Sequence, residues 1–383
     1  MSGSEVKAFT DPASARAVAP ESPGRWARGF PQRLGRHIMT APVALLLLAG
    51  GAIGPAGVNL LSASVLASLG PLVPVAIAAL GVVVGMGVGD RRTDRPRLLI
   101  AATLEATLTA VAVAGGIGAF ILWRLPVGAS LPWTVAAACG VCAATSLAFP
   151  RGHPLEPRPP GVRATEHGAV LPVLAGALFL AWLRSATGLE AATLVVQAAG
   201  VTLTLAAAGW LLLTRAATET EERVFGVAVL LLVGGIASAL SLSALATGLL
   251  AGVFWRFAGR HPRDTISRDI LLVQHAGVVL VLLVAGAQAA HTSTSLTLAA
   301  VYLLVRLLAK GAGGALATRV IGGSAPPGLT WRLLSPGVLG VAFALNAHAI
   351  AGSEGALVLA TVVAGTIAAE AAGVFLPAVR ADE

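Results

Sequence analysis

Four ionisable side chains fall inside long apolar runs of this chain: Glu105, Arg306, Lys310 and Glu370. Placing such a group at membrane depth costs roughly 2.5–3.5 kcal/mol on insertion scales, so each needs a physical reason to be there. A carboxylate at that depth can take up and release a proton or a cation. Arg306 and Lys310 are spaced i, i+4 and share one face of a helix. Two adjacent cations are untenable in lipid. They must face the bundle interior against a carboxylate or a helix C-terminus, or snorkel toward the inner surface. Glu105 and Glu370 are the available partners. Three readings follow: an ion pair that locks two helices, a carboxylate that exchanges a cation for protons, or snorkelling without a partner.

The rest of the 18 acids lie in tails or loops, with Glu190 and Glu354 near the outer surface, and no Asp is deep. His275, His348, Gln274 and Asn346 also fall in or near apolar runs. Polar groups there are expected to hydrogen-bond across helices. Cys139 and Cys142 form a CxxC with no His or acid beside it, which reads as two inert buried thiols and not a metal site. No glycine-rich loop ending in Lys is present, so no nucleotide or other cofactor is expected, and no catalytic constellation marks an enzyme.

The positioning elements follow from composition. Hydrophobic residues make up 56% of the 383 and charged ones 11%, and mean hydropathy is +0.84. A water-soluble fold of this length cannot hide that much apolar surface, so lipid is the solvent. The runs are continuous and not alternating, which predicts helices and excludes a barrel. A span needs about 20 residues to cross about 30 Å of hydrocarbon. Twelve are predicted, near 39–54, 71–89, 98–121, 132–149, 168–184, 191–213, 224–241, 243–257, 270–290, 294–318, 333–350 and 355–378. The first, seventh and eighth are short and are expected to be tilted, broken or re-entrant. Residues 39–379 thus form one polytopic domain, with halves about 39–213 and 224–379. Residues 1–38, rich in Pro and Arg, lack an apolar signal region and read as a poorly ordered, basic cytoplasmic tail; 380–383 form a second tail.

Charge placement orients the spans. With the amino terminus in the cytoplasm, Arg124 and Arg184 fall outside and Arg306 and Lys310 within the tenth span. Every other one of the 26 basic residues falls inside, as does the carboxyl terminus. That asymmetry is the positive-inside pattern of a multi-pass protein of the cell membrane. It also accounts for the net charge of +8 without nucleic acid. Residues 224–255 carry no charge and would make one helix of about 48 Å. A hairpin near Ser241-Leu242-Ser243 is preferred, because it keeps Arg256, Arg260, Arg263 and Arg268 inside. Trp123, Trp133 and Trp182 are expected at the outer interface, and Trp210, Trp255 and Trp331 at the inner one.

Helix breaks are marked at Gly54-Pro55, at Ser335-Pro336-Gly337 and around Thr145 and Ser146. Unwound backbone at such points can hold ions near the midplane, though Gly and Pro also serve close packing. Several stretches, in order, resemble the monovalent cation:proton antiporter superfamily, which includes sodium/proton exchangers and Kef-type systems. Gly50 through Val58 resembles that family's first helix with its GPxG-like turn. Leu69-Gly70 through Gly87-Val88-Gly89 resembles its glycine-rich second helix. Ala143-Ala144-Thr145-Ser146 resembles the break of one crossing helix, and Leu334-Ser335-Pro336-Gly337 through Ala344 the other. Glu221-Glu222, with the run to Gly248-Leu249-Leu250-Ala251-Gly252, resembles the start of the second half. Arg306 through Lys310 resembles the basic motif of its late core helix.

The resemblance implies an all-α sodium/proton-antiporter-like fold of about 12 transmembrane helices with two discontinuous crossing helices. It implies alternating access, with a monovalent cation and protons as partners in a lipid bilayer, and it is compatible with a homodimer. Its candidate site residues are Thr145 and Ser146 as ligands, Arg306 and Lys310 as charge compensation, and Glu105 or Glu370 as the acid. One departure stands out. The family's membrane Asp belongs in the helix Gly168–Arg184, and that helix holds no acid; Pro172 or Val173 occupies the place. Two other functions are therefore weighed: a non-transporting scaffold or regulatory membrane protein of the same fold, and a transporter of a neutral or anionic solute.

Overall fold

With no water in the hydrocarbon core, every backbone N–H and C=O there must be satisfied within its own segment, and the helix is the local solution. The computed structural model describes residues 42–88, 96–124, 132–145, 160–185, 187–258, 260–321 and 337–375. Among them all regular structure is helical. In chain order the helices are α1 (Pro42–Ile53), α2 (Ala63–Leu69), α3 (Leu72–Gly87), α4 (Pro96–Arg124), α5 (Pro132–Ala144), α6 (Pro160–Arg184), α7 (Gly188–Arg215), α8 (Glu219–Ala239), α9 (Ala244–Phe257), α10 (Arg260–Gln288), α11 (Ser293–Ile321) and α12 (Val338–Phe375). The expected tails at 1–38 and 380–383 lie outside the described residues.

Each predicted span coincides with a helix or, for the last two, with the two parts of α12. That helix is broken at Gly352, where φ is 57° and a side chain would be strained. Five helices are individually long and apolar enough to cross a bilayer: α4, α7, α8, α11 and α12. Counted together, α2 and α3, bent by 48° at the break between them, are also long and apolar enough. The sequence pattern had not shown α2, a seven-residue helix capped by Ser62, whose Oγ accepts from Val65 N. Two of the three expected short spans are short, α1 with 12 residues and α9 with 14. The seventh is not: α8 runs 21 residues. Its extra first turn is polar and invisible to an apolar-run count. Thr218 Oγ1 accepts from Glu221 N, and Glu219, Glu221 and Glu222 meet the positive end of the helix dipole. The turn between α8 and α9 is the expected hairpin. Ser241 adopts φ 49° and Ser243 caps α9.

Glycines let the helices approach backbone to backbone. Gly81 and Gly85 of α3 lie against the carbonyls of Leu245 and Leu249 on α9, and Gly248 and Gly252 of α9 lie against those of Ala78 and Val82 on α3. Each helix offers a GxxxG face to the other. Gly50 of α1 and Gly54 just after it meet α10 at Leu283 and Ala287 in the same manner, and Gly286 of α10 meets Leu47. On the other side of the bundle α4 packs along α11, α5 and α6, while α12 packs on α11, α5, α10 and α1. Large apolar side chains such as Val111, Val196, Leu304 and Leu308 are exposed, as a lipid-facing perimeter requires. Trp123, Trp133 and Trp182 are exposed, whereas Trp255 is fully buried and donates Nε1–H to the carbonyl of Ala206, 2.9 Å away. Trp331 lies outside the described residues.

Candidate functional site

The site grows from the antiparallel contact of α4 and α11. Gly313 on α11 has no side chain, and the Cγ of Glu105 fills the space a Cβ would take. Three residues before Gly313 on α11, Lys310 Nζ lies 2.8 Å from Glu105 Oε1, and the two side chains are 0% and 3% exposed. Thr109, one turn along α4 from Glu105, donates its hydroxyl to the same oxygen at 3.1 Å.

Lys310 has a further partner. Its ammonium donates to the carbonyl of Ala144 at 2.9 Å. Ala144 is the last residue of α5, and the last four carbonyls of a helix have no partner within it. They carry the negative end of the helix dipole, which favours a cation. One ammonium therefore joins α4, α5 and α11 and neutralises both a carboxylate and a helix end.

The end of α5 meets the start of α12. Gly340 lies against the carbonyl of Cys142 and the hydroxyl of Thr145, a contact that leaves no room for a side chain. Thr145 Oγ1 donates to Cys142 O at 2.8 Å, so its hydroxyl closes the end of its own helix. Cys139 and Cys142 are buried free thiols. Ser146, Ser335 and Pro336 lie outside the described residues, while Gly337 precedes α12, its carbonyl accepting from Gly340 N at 3.2 Å. The end of one helix thus packs on the start of the other, where the resemblance implied a crossing.

The other predicted residues are distributed as follows. Arg306 is 2% exposed and stays inside the protein, on the same face of α11 as Lys310. Tyr302, one turn further, is also buried and covers Gly365 of α12. Snorkelling to the inner surface describes neither cation. Glu370 stands apart from Lys310: its Oε2 accepts from Ala44 N at 2.7 Å, in the first turn of α1. Gly54 and Pro55 belong to the turn after α1, with Asn59 at φ 58°, and Gly54 packs on Ala287 of α10.

Where the resemblance calls for an acid, α6 is apolar. Val173 is buried, and Gly176 lies directly under the ring of Phe343 from α12. Sequence reasoning missed Thr109, the Ala144 carbonyl, Gly313 and the Phe343–Gly176 contact. Only Thr109 had a readable signal, its i, i+4 spacing from Glu105. Among the described residues no group of three or more His, Cys, Asp or Glu is placed to hold a metal ion.

No protein-family model matches the chain, and no curated protein matches it in sequence. Its structure does have a counterpart. The sodium proton antiporter MjNhaP1 from Methanocaldococcus jannaschii, solved at pH 8, superposes with a TM-score of 0.57 at 18% identity over 90% of this chain and 94% of that one. The chain is thus an all-α, multi-pass membrane protein. Its particular fold is the sodium/proton-antiporter fold.

Proposed function

We propose that the chain is a membrane transporter that exchanges a monovalent cation for protons by alternating access, with Glu105 as the acid of its site. The observation that carries this reading is the ammonium of Lys310 held between Glu105 and the carbonyl end of α5, at the crossing with α12. A transporter of this fold, MjNhaP1, supplies the analogy.

The chemistry follows from charge balance. A lone charge in a dry interior costs several kcal/mol, so the site tolerates a pair and resists a surplus. A cation that takes the Glu105 carboxylate leaves one positive charge too many. Loss of a proton from the Lys310 ammonium to water on the open side restores neutrality. The amine that remains can still donate to Ala144 O. Return of the proton re-forms the ion pair and expels the cation. Helix ends that meet inside the bundle, as those of α5 and α12 do, are the kind of element around which such proteins rock. In this reading the protein sits in the cell membrane with both termini cytoplasmic, supported by the one-sided placement of arginines.

The test is pH-driven sodium or potassium flux in proteoliposomes. Wild type should carry flux and Glu105→Gln should not; equal flux in both removes Glu105 from the mechanism. A second reading, a scaffold that keeps the fold without transport, is favoured by the apolar packing of Val173, Gly176 and Phe343. Folded wild-type protein that moves neither cation supports that reading. Uptake of a labelled organic anion, lost in Lys310→Ala, supports transport of an anionic solute.

A further inference from the structure

A cavity of about 260 Å³ opens between α6, α7 and α9 under the α8–α9 turn. Its walls are mostly hydrocarbon, among them Leu174, Ala177 and Leu178 of α6, Ala198 of α7 and Leu250 of α9, with Ser241, Ser243 and Thr247 near the turn. A water-filled ion path needs polar walls, and this cavity does not supply them. One charged residue stands at it, Arg184. Its Nη1 donates to the carbonyls of Leu240 at 3.0 Å and Ser241 at 2.6 Å, which fixes the guanidinium against the turn. Among the described residues the Nε and Nη2 donors of Arg184 have no hydrogen-bond partner, and the side chain is exposed. Trp182, two residues earlier, is exposed as well, as a ring at headgroup depth would be.

We infer that this cavity is a binding site for an anionic phospholipid, with one acyl chain inside and its phosphate on Arg184. Three observations converge on that occupant. The lining excludes a polar solute. The volume falls below the roughly 300–1,000 Å³ of sites that enclose a whole small ligand, so the occupant inserts a part and leaves the rest in the bilayer. The remaining guanidinium donors suit a phosphate oxygen pair. The position also has a consequence. Gly176, on the same helix as the cavity-lining Ala177, Leu178 and Leu180, carries the ring of Phe343. A lipid tail in the cavity therefore presses on the helix that seals the α5–α12 crossing. The site does not depend on whether the protein transports ions.

The experiment is native mass spectrometry of the full chain, released from detergent after equilibration with phosphatidylglycerol or phosphatidylcholine of the same acyl chains. Wild type should retain phosphatidylglycerol about fivefold over phosphatidylcholine, the effect of one basic group at a membrane surface. Arg184→Gln should lose that preference, and Arg184→Lys should keep most of it. Ala177→Phe, which fills the cavity, should reduce retention of both lipids; Ala198→Leu serves if that variant does not elute as folded protein. Equal retention of the two lipids by wild type overturns the site. So does a preference unchanged in Arg184→Gln, retention unchanged by cavity filling, or cross-linking between cysteines placed at Leu178 of two copies.

Discussion

Lys310 reaches the carbonyl of Ala144 across 166 residues of sequence, at 2.9 Å, while its other contact holds Glu105 at 2.8 Å. The two bonds share one ammonium, so its loss strands a buried carboxylate and an unpaired helix end together. Removing one partner of a buried pair typically costs about 3–5 kcal/mol. Lys310→Met should therefore lower the thermal midpoint of the detergent-solubilised protein steeply. Lys310→Met with Glu105→Leu should recover much of the loss, because both charges leave. A double variant as unstable as the single one would show that the pair contributes little.

Glu370 answers to a different helix. Its carboxylate takes the Ala44 N–H in the first turn of α1, where a helix leaves its early donors unpaired. Glu370→Leu should cost about 0.5–2 kcal/mol, the usual worth of a lost N-terminal cap. Cation flux per folded molecule should stay near wild type, in contrast to Glu105→Gln. Abolished flux in folded Glu370→Leu protein would transfer the acid's role to the twelfth helix.

Depth was legible in the sequence, and direction was not. Lipid forces each span to be a continuous apolar run, so Glu105, Glu370, Arg306 and Lys310 stood out against it. Which acid meets Lys310 depends on how α4 and α12 are rotated about their axes, and runs that are apolar all round carry no such signal. The Ala144 carbonyl has no side-chain signature at all. Thr145 was legible as a break residue, but its hydroxyl is donated to Cys142 O. The chain has 45 glycines, so composition conceals the few that carry a helix crossing. The hairpin at Ser241 was legible because a single helix would have put four arginines on the wrong side.

Those few glycines can be told apart by substitution. A Cβ on Gly248 would run into the backbone of Ala78, whereas a Cβ on Gly235 meets nothing within 4 Å. Gly248→Ala should force α3 and α9 apart and cost about 1–3 kcal/mol, as overpacking does. Gly235→Ala should be neutral or stabilise by about 0.5–1 kcal/mol, since alanine is the better helix former. Thermal unfolding of the two variants side by side decides this. Equal midpoints would mean the α3–α9 seam is not packed backbone to backbone.

The seal of the crossing makes a sharper case, because two residues share it. Gly176 has no room for a methyl group while the Phe343 ring lies on it. Gly176→Ala alone should therefore destabilise by about 1–3 kcal/mol through overpacking. Phe343→Ala alone should cost about 3–5 kcal/mol, because a large, fully buried ring leaves a cavity. Together the two changes should cost less than their sum, since the alanine methyl then occupies space the ring has vacated. Residues in contact commonly couple by 0.5–3 kcal/mol in such cycles, in either sign. Here the sign is fixed by geometry: the coupling must be favourable. Strict additivity in thermal or denaturant unfolding would mean that ring and glycine do not touch, and that α6 does not close the crossing of α5 and α12.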